Sequence, residues 1–131
     1  MIAGAQHENG YLYPSHTTGA GTSKDMMGDR PYAFIVHSHE LYNVGHLYEA
    51  AVAYYQATGK KKLLNVAEKS AEHINRVIFE GDSDYNQGKP IQQAPGHQEM
   101  ELALVKLYRV TGKPLYLDCL LYTSDAADDD A

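Results

Sequence analysis

The 131-residue chain has no tryptophan, two phenylalanines and a single cysteine. One cysteine, Cys119, supports no intrachain disulfide and by itself no cysteine-based metal site. Long apolar runs are missing too, so no stretch spans a membrane as a helix. The opening Met1-Ile2-Ala3-Gly4-Ala5-Gln6-His7-Glu8 lacks a basic region followed by an apolar core, so it does not read as a signal peptide. Cations are outnumbered: 11 Lys and Arg face 17 Asp and Glu, a net charge of −6, which argues against nucleic acid as a partner.

What the chain does have is a globular balance, with 44% hydrophobic and 21% charged residues, enough for one domain. It also has eleven tyrosines. Each carries an apolar ring with a polar tip, the chemistry of a wet ligand cleft and equally of an interface.

Periodicity predicts three helices. Leu41, Val44, Tyr48, Ala51, Val52 and Tyr55 set the first over about residues 39–57. Leu63, Leu64, Ala67, Ala71, Ile74, Val77 and Ile78 set the second over 61–79, and Met100, Leu104, Leu107 and Tyr108 the third over 98–110. Leu115-Tyr116-Leu117 starts a fourth. Residues 1–36 are irregular apart from a helical turn at Ile2–Gln6 and a turn at Asn9-Gly10, and residues 15–29 form a long Gly/Thr/Ser-rich loop. Gly45 inside the first helix costs about 1 kcal/mol relative to Ala, and marks close approach of another backbone or a ligand.

An internal repeat runs through this pattern. Tyr55-Gln56-Ala57-Thr58-Gly59-Lys60 aligns with Tyr108-Arg109-Val110-Thr111-Gly112-Lys113, and a new helical pattern follows each Thr-Gly-Lys. The unit is a helical hairpin with a period of about fifty residues, which buries its faces only against neighbouring hairpins. The fold class is therefore all-α. A non-catalytic helical-repeat binding module is one function consistent with it.

The segment Cys119-Leu120-Leu121-Tyr122-Thr123-Ser124-Asp125-Ala126-Ala127-Asp128-Asp129-Asp130-Ala131 breaks the pattern. Two readings stand: a disordered acidic tail, or translation of a transposase adapter used in sequencing libraries. Without Asp125, Asp128, Asp129 and Asp130 the 17 acids fall to 13 against 11 cations, a net charge of −2. Resequencing the encoding DNA decides between them.

Histidines concentrate in His37-Ser38-His39-Glu40-Leu41-Tyr42-Asn43-Val44-Gly45-His46. Residues 39 and 46 are nearly two turns apart, so His39, Tyr42, Asn43, His46 and Glu49 share one polar stripe. Three readings remain open: a solvent-facing stripe, a polar ligand site, or a metal site using His37, His39 and His46 or Glu40. The His-Glu-x-x-His metalloprotease pattern is not met, because position 43 is Asn. His97 follows Pro95-Gly96 at a helix start, as a loop or capping residue or a ligand contact. His7 and His16 fall in loops, and His73 beside the second helix's apolar face reads as a structural core histidine.

These residues also carry a resemblance. His39-Glu40-Leu41-Tyr42-Asn43-Val44-Gly45-His46-Leu47-Tyr48-Glu49-Ala50-Ala51-Val52-Ala53 with Gln56-Ala57-Thr58-Gly59-Lys60 resembles the signature of glycoside hydrolase family 127, the non-reducing-end β-L-arabinofuranosidases. Pro95-Gly96-His97-Gln98-Glu99-Met100-Glu101-Leu102-Ala103-Leu104-Val105-Lys106-Leu107-Tyr108 is similar to the next block, and Gln6-His7-Glu8-Asn9-Gly10-Tyr11-Leu12 to the preceding one. Family 146 is closely related. The resemblance implies that residues 1–118 are part of an (α/α)6 barrel of helical hairpins acting on a carbohydrate. It implies that His39 and His97 bind arabinofuranose hydroxyls, with weaker, positional roles for His46 and Glu40. The family's cysteine nucleophile, the zinc ion that holds it and the glutamate acid/base are implied for the full-length parent. Their positions lie downstream of the His97 block, so this chain is expected to hold no catalytic residue and no metal ligand.

Overall fold

The computed structural model describes residues 2–13, 40–83, 86–90 and 99–119, and it is helical wherever it has regular structure of any length. The long loop of residues 15–29, His16, His37, His39, His97 and the segment 120–131 lie outside the described residues. A short helix, α1 (Ile2–Ala5), is followed by α2 (Glu40–Thr58), α3 (Lys62–Ile74) and α4 (Glu99–Thr111). Helix α3 continues as a π-helical segment, Asn75–Glu80, and residues 115–119 begin a further helix, α5. The expected helices are thus present to within a residue or two at their ends. The exception is the last six residues of the second hairpin arm, which keep the expected extent but widen to the π form.

The repeat is visible as repeated geometry. At the end of α2, Gly59 adopts φ 72° and its N–H donates to the Tyr55 carbonyl at 2.8 Å. At the end of α4, Gly112 adopts φ 70° and donates to the Tyr108 carbonyl at 2.7 Å. The threonine hydroxyls match as well: Thr58 Oγ1 donates to Tyr54 O at 2.7 Å, and Thr111 Oγ1 to Leu107 O at 2.8 Å. Each Oγ1 then accepts the N–H of the lysine two residues on, at 3.2 and 3.3 Å. Thr-Gly-Lys is therefore a self-contained stop signal. The hydroxyl replaces a lost helical partner, and the left-handed glycine turns the chain toward the next helix.

Contacts between the helices fix their directions. Tyr48 of α2 meets Ser70 of α3, and Tyr54 lies beside Leu63 and Val66, so α2 and α3 form an antiparallel hairpin. Gly45 faces Glu99 and Met100, while Glu49 further along α2 reaches Lys106 further along α4. Helices α2 and α4 are therefore parallel. Likewise Tyr116 reaches Glu68 and Cys119 reaches Asn75, so α5 runs parallel to α3. Two hairpins stack side by side in the same sense, α2 and α4 in one layer and α3 and α5 in the other. That is the local arrangement of a double ring of helices.

The core lies between these layers. Tyr48, Ala51, Ala67, Val77, Ala103, Leu107 and Tyr116 are completely buried. Alanines at 51, 67 and 103 let the helices approach closely, while leucines and tyrosines fill the space between them. Tyr48 carries a polar atom at the centre that helix periodicity does not anticipate. Its hydroxyl is 2.6 Å from Ser70 Oγ, also buried, and burial pushes the phenol far above its ordinary value, so it stays neutral. Tyr48→Phe leaves the Ser70 hydroxyl without this partner and is expected to cost about 1 kcal/mol. Urea unfolding checks this, and the double variant with Ser70→Ala should recover part of the loss.

The N-terminal block docks on α3. Gln6 Nε2 donates to the carbonyls of Gly10 and Val66, both at 3.0 Å, and Arg76 Nη2 donates to Asn9 O at 3.0 Å. Gly10, at φ 106°, presses against the Lys69 carbonyl and His73 Cβ, where no side chain fits. His73 is buried edge-on against Tyr11, with ring centroids 5.9 Å apart. Burial lowers its pKa to about 4, so it is a neutral core residue, as its place beside the apolar face predicts.

Candidate functional site

The polar stripe on α2 is preserved in part and extended. Tyr42 and His46 lie one turn apart and meet edge to face, with ring centroids 4.5 Å apart. Asn43 is exposed beside an apolar groove lined by Leu12, Tyr13, Val44 and Leu47. Glu40 is the first residue of α2, and its side chain lies outside the described residues.

The stripe faces the first two turns of α4. His46 Nδ1 lies 3.3 Å from Glu99 Oε1, and Lys106 Nζ donates to Glu49 Oε2. Carboxylate oxygens of Glu49 and Glu99 lie within 4.8 Å of one another. Four side chains from two helices thus form one network: His46 and Glu49 from α2, Glu99 and Lys106 from α4. Sequence reasoning placed His46 and Glu49 on one face but missed Glu99 and Lys106. Both belong to the other repeat, and only the parallel packing of α2 on α4 brings them in.

Gly45 makes this approach possible. A Cβ there would sit 2.9 Å from Glu99 Cγ and 3.3 Å from the Glu99 carbonyl carbon and the Met100 nitrogen. The helical glycine therefore serves the close backbone approach expected of it.

The electrostatics of the two glutamates diverge. Burial, then the hydrogen bond and charge of Glu49, hold Glu99 above the usual carboxyl range. The hydrogen bond from Glu99, then that from Lys106, hold Glu49 below it. The side chain of Glu99 is 11% exposed and that of His46 52% exposed, so the network runs from the helix interface out to solvent.

The ligand atoms of His46, Glu49 and Glu99 lie within 4.8 Å of one another, a spacing that a small cation can bridge. Lys106 already supplies a positive charge to Glu49. The two carboxyls lie where α4 presses on Gly45, with oxygens within 4.8 Å of one another, and not across an open gap that could seat a sugar. The zinc that the family resemblance implies calls for thiolates, and Cys119 does not fit. It is buried, its Sγ donates to Asn75 Oδ1 at 3.4 Å, and burial pushes the thiol up to about 12.

Comparison with known proteins agrees with this architecture. A family model described as "Beta-L-arabinofuranosidase, GH127 catalytic domain" matches residues 1–128. A non-reducing end β-L-arabinofuranosidase from Bifidobacterium longum subsp. longum is 40% identical over 131 residues, covering 99% of this chain and 18% of that protein. A solved GH127 β-arabinofuranosidase superposes with TM-score 0.79 at 42% identity, over 93% of this chain and 18% of its own. A GH127 β-L-arabinofuranosidase from Geobacillus stearothermophilus T6 superposes with TM-score 0.76 at 40% identity, over 95% and 18%. The chain spans about a fifth of the length of these relatives. By its sequence blocks, its stacked hairpins and these matches, the chain belongs to the glycoside hydrolase family 127 β-L-arabinofuranosidase catalytic domains, of which it is a fragment.

Proposed function

We propose that this chain forms part of the sugar-binding wall of a retaining β-L-arabinofuranosidase, with His39 and His97 donating and accepting hydrogen bonds to arabinofuranose hydroxyls. The parallel packing of α2 on α4 carries this reading. In sequence His39 directly precedes α2 and His97 lies two residues before α4, and these two helices pack in parallel. Imidazoles both donate and accept, which suits hydroxyls that do the same. His46 and Glu40 have weaker, positional roles.

The reacting groups of the full-length parent, including any zinc-held thiolate, lie outside this chain. Glu49 is engaged by Lys106, Glu99 lies within 4.8 Å of Glu49, and Cys119 is a buried neutral thiol. None is free to attack an anomeric carbon. The isolated chain is therefore expected to be inactive on an aryl β-L-arabinofuranoside, while the complete polypeptide cleaves it. Release of aryl alcohol by the purified chain above a blank would refute this assignment.

A further inference from the structure

The carboxyl pair at the α2–α4 interface has a use of its own. Glu99 Oε1 is buried and has no hydrogen-bond partner, although His46 Nδ1 is only 3.3 Å away. An ionised carboxylate with an orphaned buried oxygen would lose solvation on its charge. A protonated carboxyl would not: its proton would sit on Oε2, bonded toward Glu49, and Oε1 would be a neutral carbonyl oxygen. Two carboxylates with oxygens within 4.8 Å of one another also cannot both ionise cheaply, and the one held by the lysine keeps the charge. Glu49 is that one, through Lys106.

We propose that Glu99 acts as a neutral acid whose proton is shared with the Lys106-held Glu49, and that this bond is a positioning device that sets the register of α2 against α4. It works at the point where Gly45 removes any side-chain spacer between the helices. Just before the starts of these two helices in sequence stand His39 and His97. Their link to that register rests on the sugar-binding reading above. The proton-sharing does not.

The groups facing Glu99 from the described elements are Glu49 and His46 of α2 and, on its own helix, Lys106. The pH dependence follows from their opposite shifts. Glu99 is raised, so its contribution to stability is complete below the ordinary carboxyl value and is lost as pH rises through its folded value. Glu49 is lowered, so its contribution is complete above the ordinary value and is lost as pH falls through its folded value. The pair stabilises most between those two limits.

Carboxyl-carbon NMR of the full 131-residue chain tests the proposal. Glu99 should titrate above the ordinary 4.5 and Glu49 below it, and Glu49→Gln should bring Glu99 back down. Amide signals of residues 39, 40, 97 and 98 should move with the Glu99 titration. Glu99→Gln, which copies the neutral acid, should hold those signals at their low-pH positions at every pH, while Glu99→Ala displaces them. If Glu99→Ala fails to fold, the wild-type titration and the glutamine variant still decide. Two ordinary, independent titrations would overturn the proposal. So would micromolar Zn2+ binding that shifts His46, Glu49 and Glu99 together and disappears in Glu99→Gln, which would make the cluster a cation site. No sugar is present in this experiment, so its failure leaves the sugar-binding reading standing, and a failed sugar titration leaves this proposal standing.

Discussion

Gly45→Val is expected to destabilise the chain by about 3 kcal/mol, the upper range for overpacking a closed interface. A bare Cβ already meets Glu99 Cγ at 2.9 Å and the α4 backbone at 3.3 Å. The Glu99 side chain has some room to yield, but the backbone of α4 has none without breaking its own hydrogen bonds. Valine adds two methyl groups to that conflict, so α4 must move away from α2 and the Glu49–Lys106 and His46–Glu99 contacts open. Gly59→Ala is the control. There φ is 72° and a Cβ meets nothing within 4 Å, so the cost is only the left-handed backbone, about 1 kcal/mol. Chemical denaturation should separate the two clearly. Equal losses would mean that position 45 matters for its backbone and not for close approach.

The second large effect concerns function. In the complete enzyme, His39→Ala and His97→Ala should each lower kcat/KM about tenfold to a hundredfold, the worth of one or two hydrogen bonds of about 1.5 to 3 kcal/mol in a desolvated site. The substitutions leave the α2–α4 contacts of Gly45, Glu49, Glu99 and Lys106 in place, so thermal stability should hardly change. A His46→Ala variant provides the contrast. Its side chain is half exposed and touches Glu99 and Tyr42, so it should alter pH dependence more than affinity. A loss at His46 as large as that at His39 would move the sugar contact down the stripe.

Much of the fold was legible because its signals are local. Thr58-Gly59-Lys60 and Thr111-Gly112-Lys113 end their helices through bonds within five residues, so the sequence carries the whole device. The apolar stripes mark buried faces for the same reason, down to Gly45, whose absent side chain signals a neighbour without naming it. What could not be read depends on register between distant segments. Glu99 and Lys106 look like ordinary polar residues of an amphipathic helix until α4 lies parallel to α2. The Tyr48–Ser70 bond is likewise invisible, since a tyrosine and a serine on separate stripes do not announce that they face each other. The π form of Asn75–Glu80 has no signal in the pattern of apolar residues, which fits an ordinary helix equally well. The histidine roles were not read from spacing at all: spacing left solvent, ligand and metal open, and family resemblance chose among them.

Imidazole NMR during titration with methyl β-L-arabinofuranoside tests the central claim most directly. With the seven histidines of the chain assigned, saturable shifts should appear at His39 and His97, with little change at the buried His73. Saturable shifts confined to other histidines, or none at His39 and His97 at any sugar concentration, would contradict the claim that this fragment carries one wall of the arabinofuranose pocket.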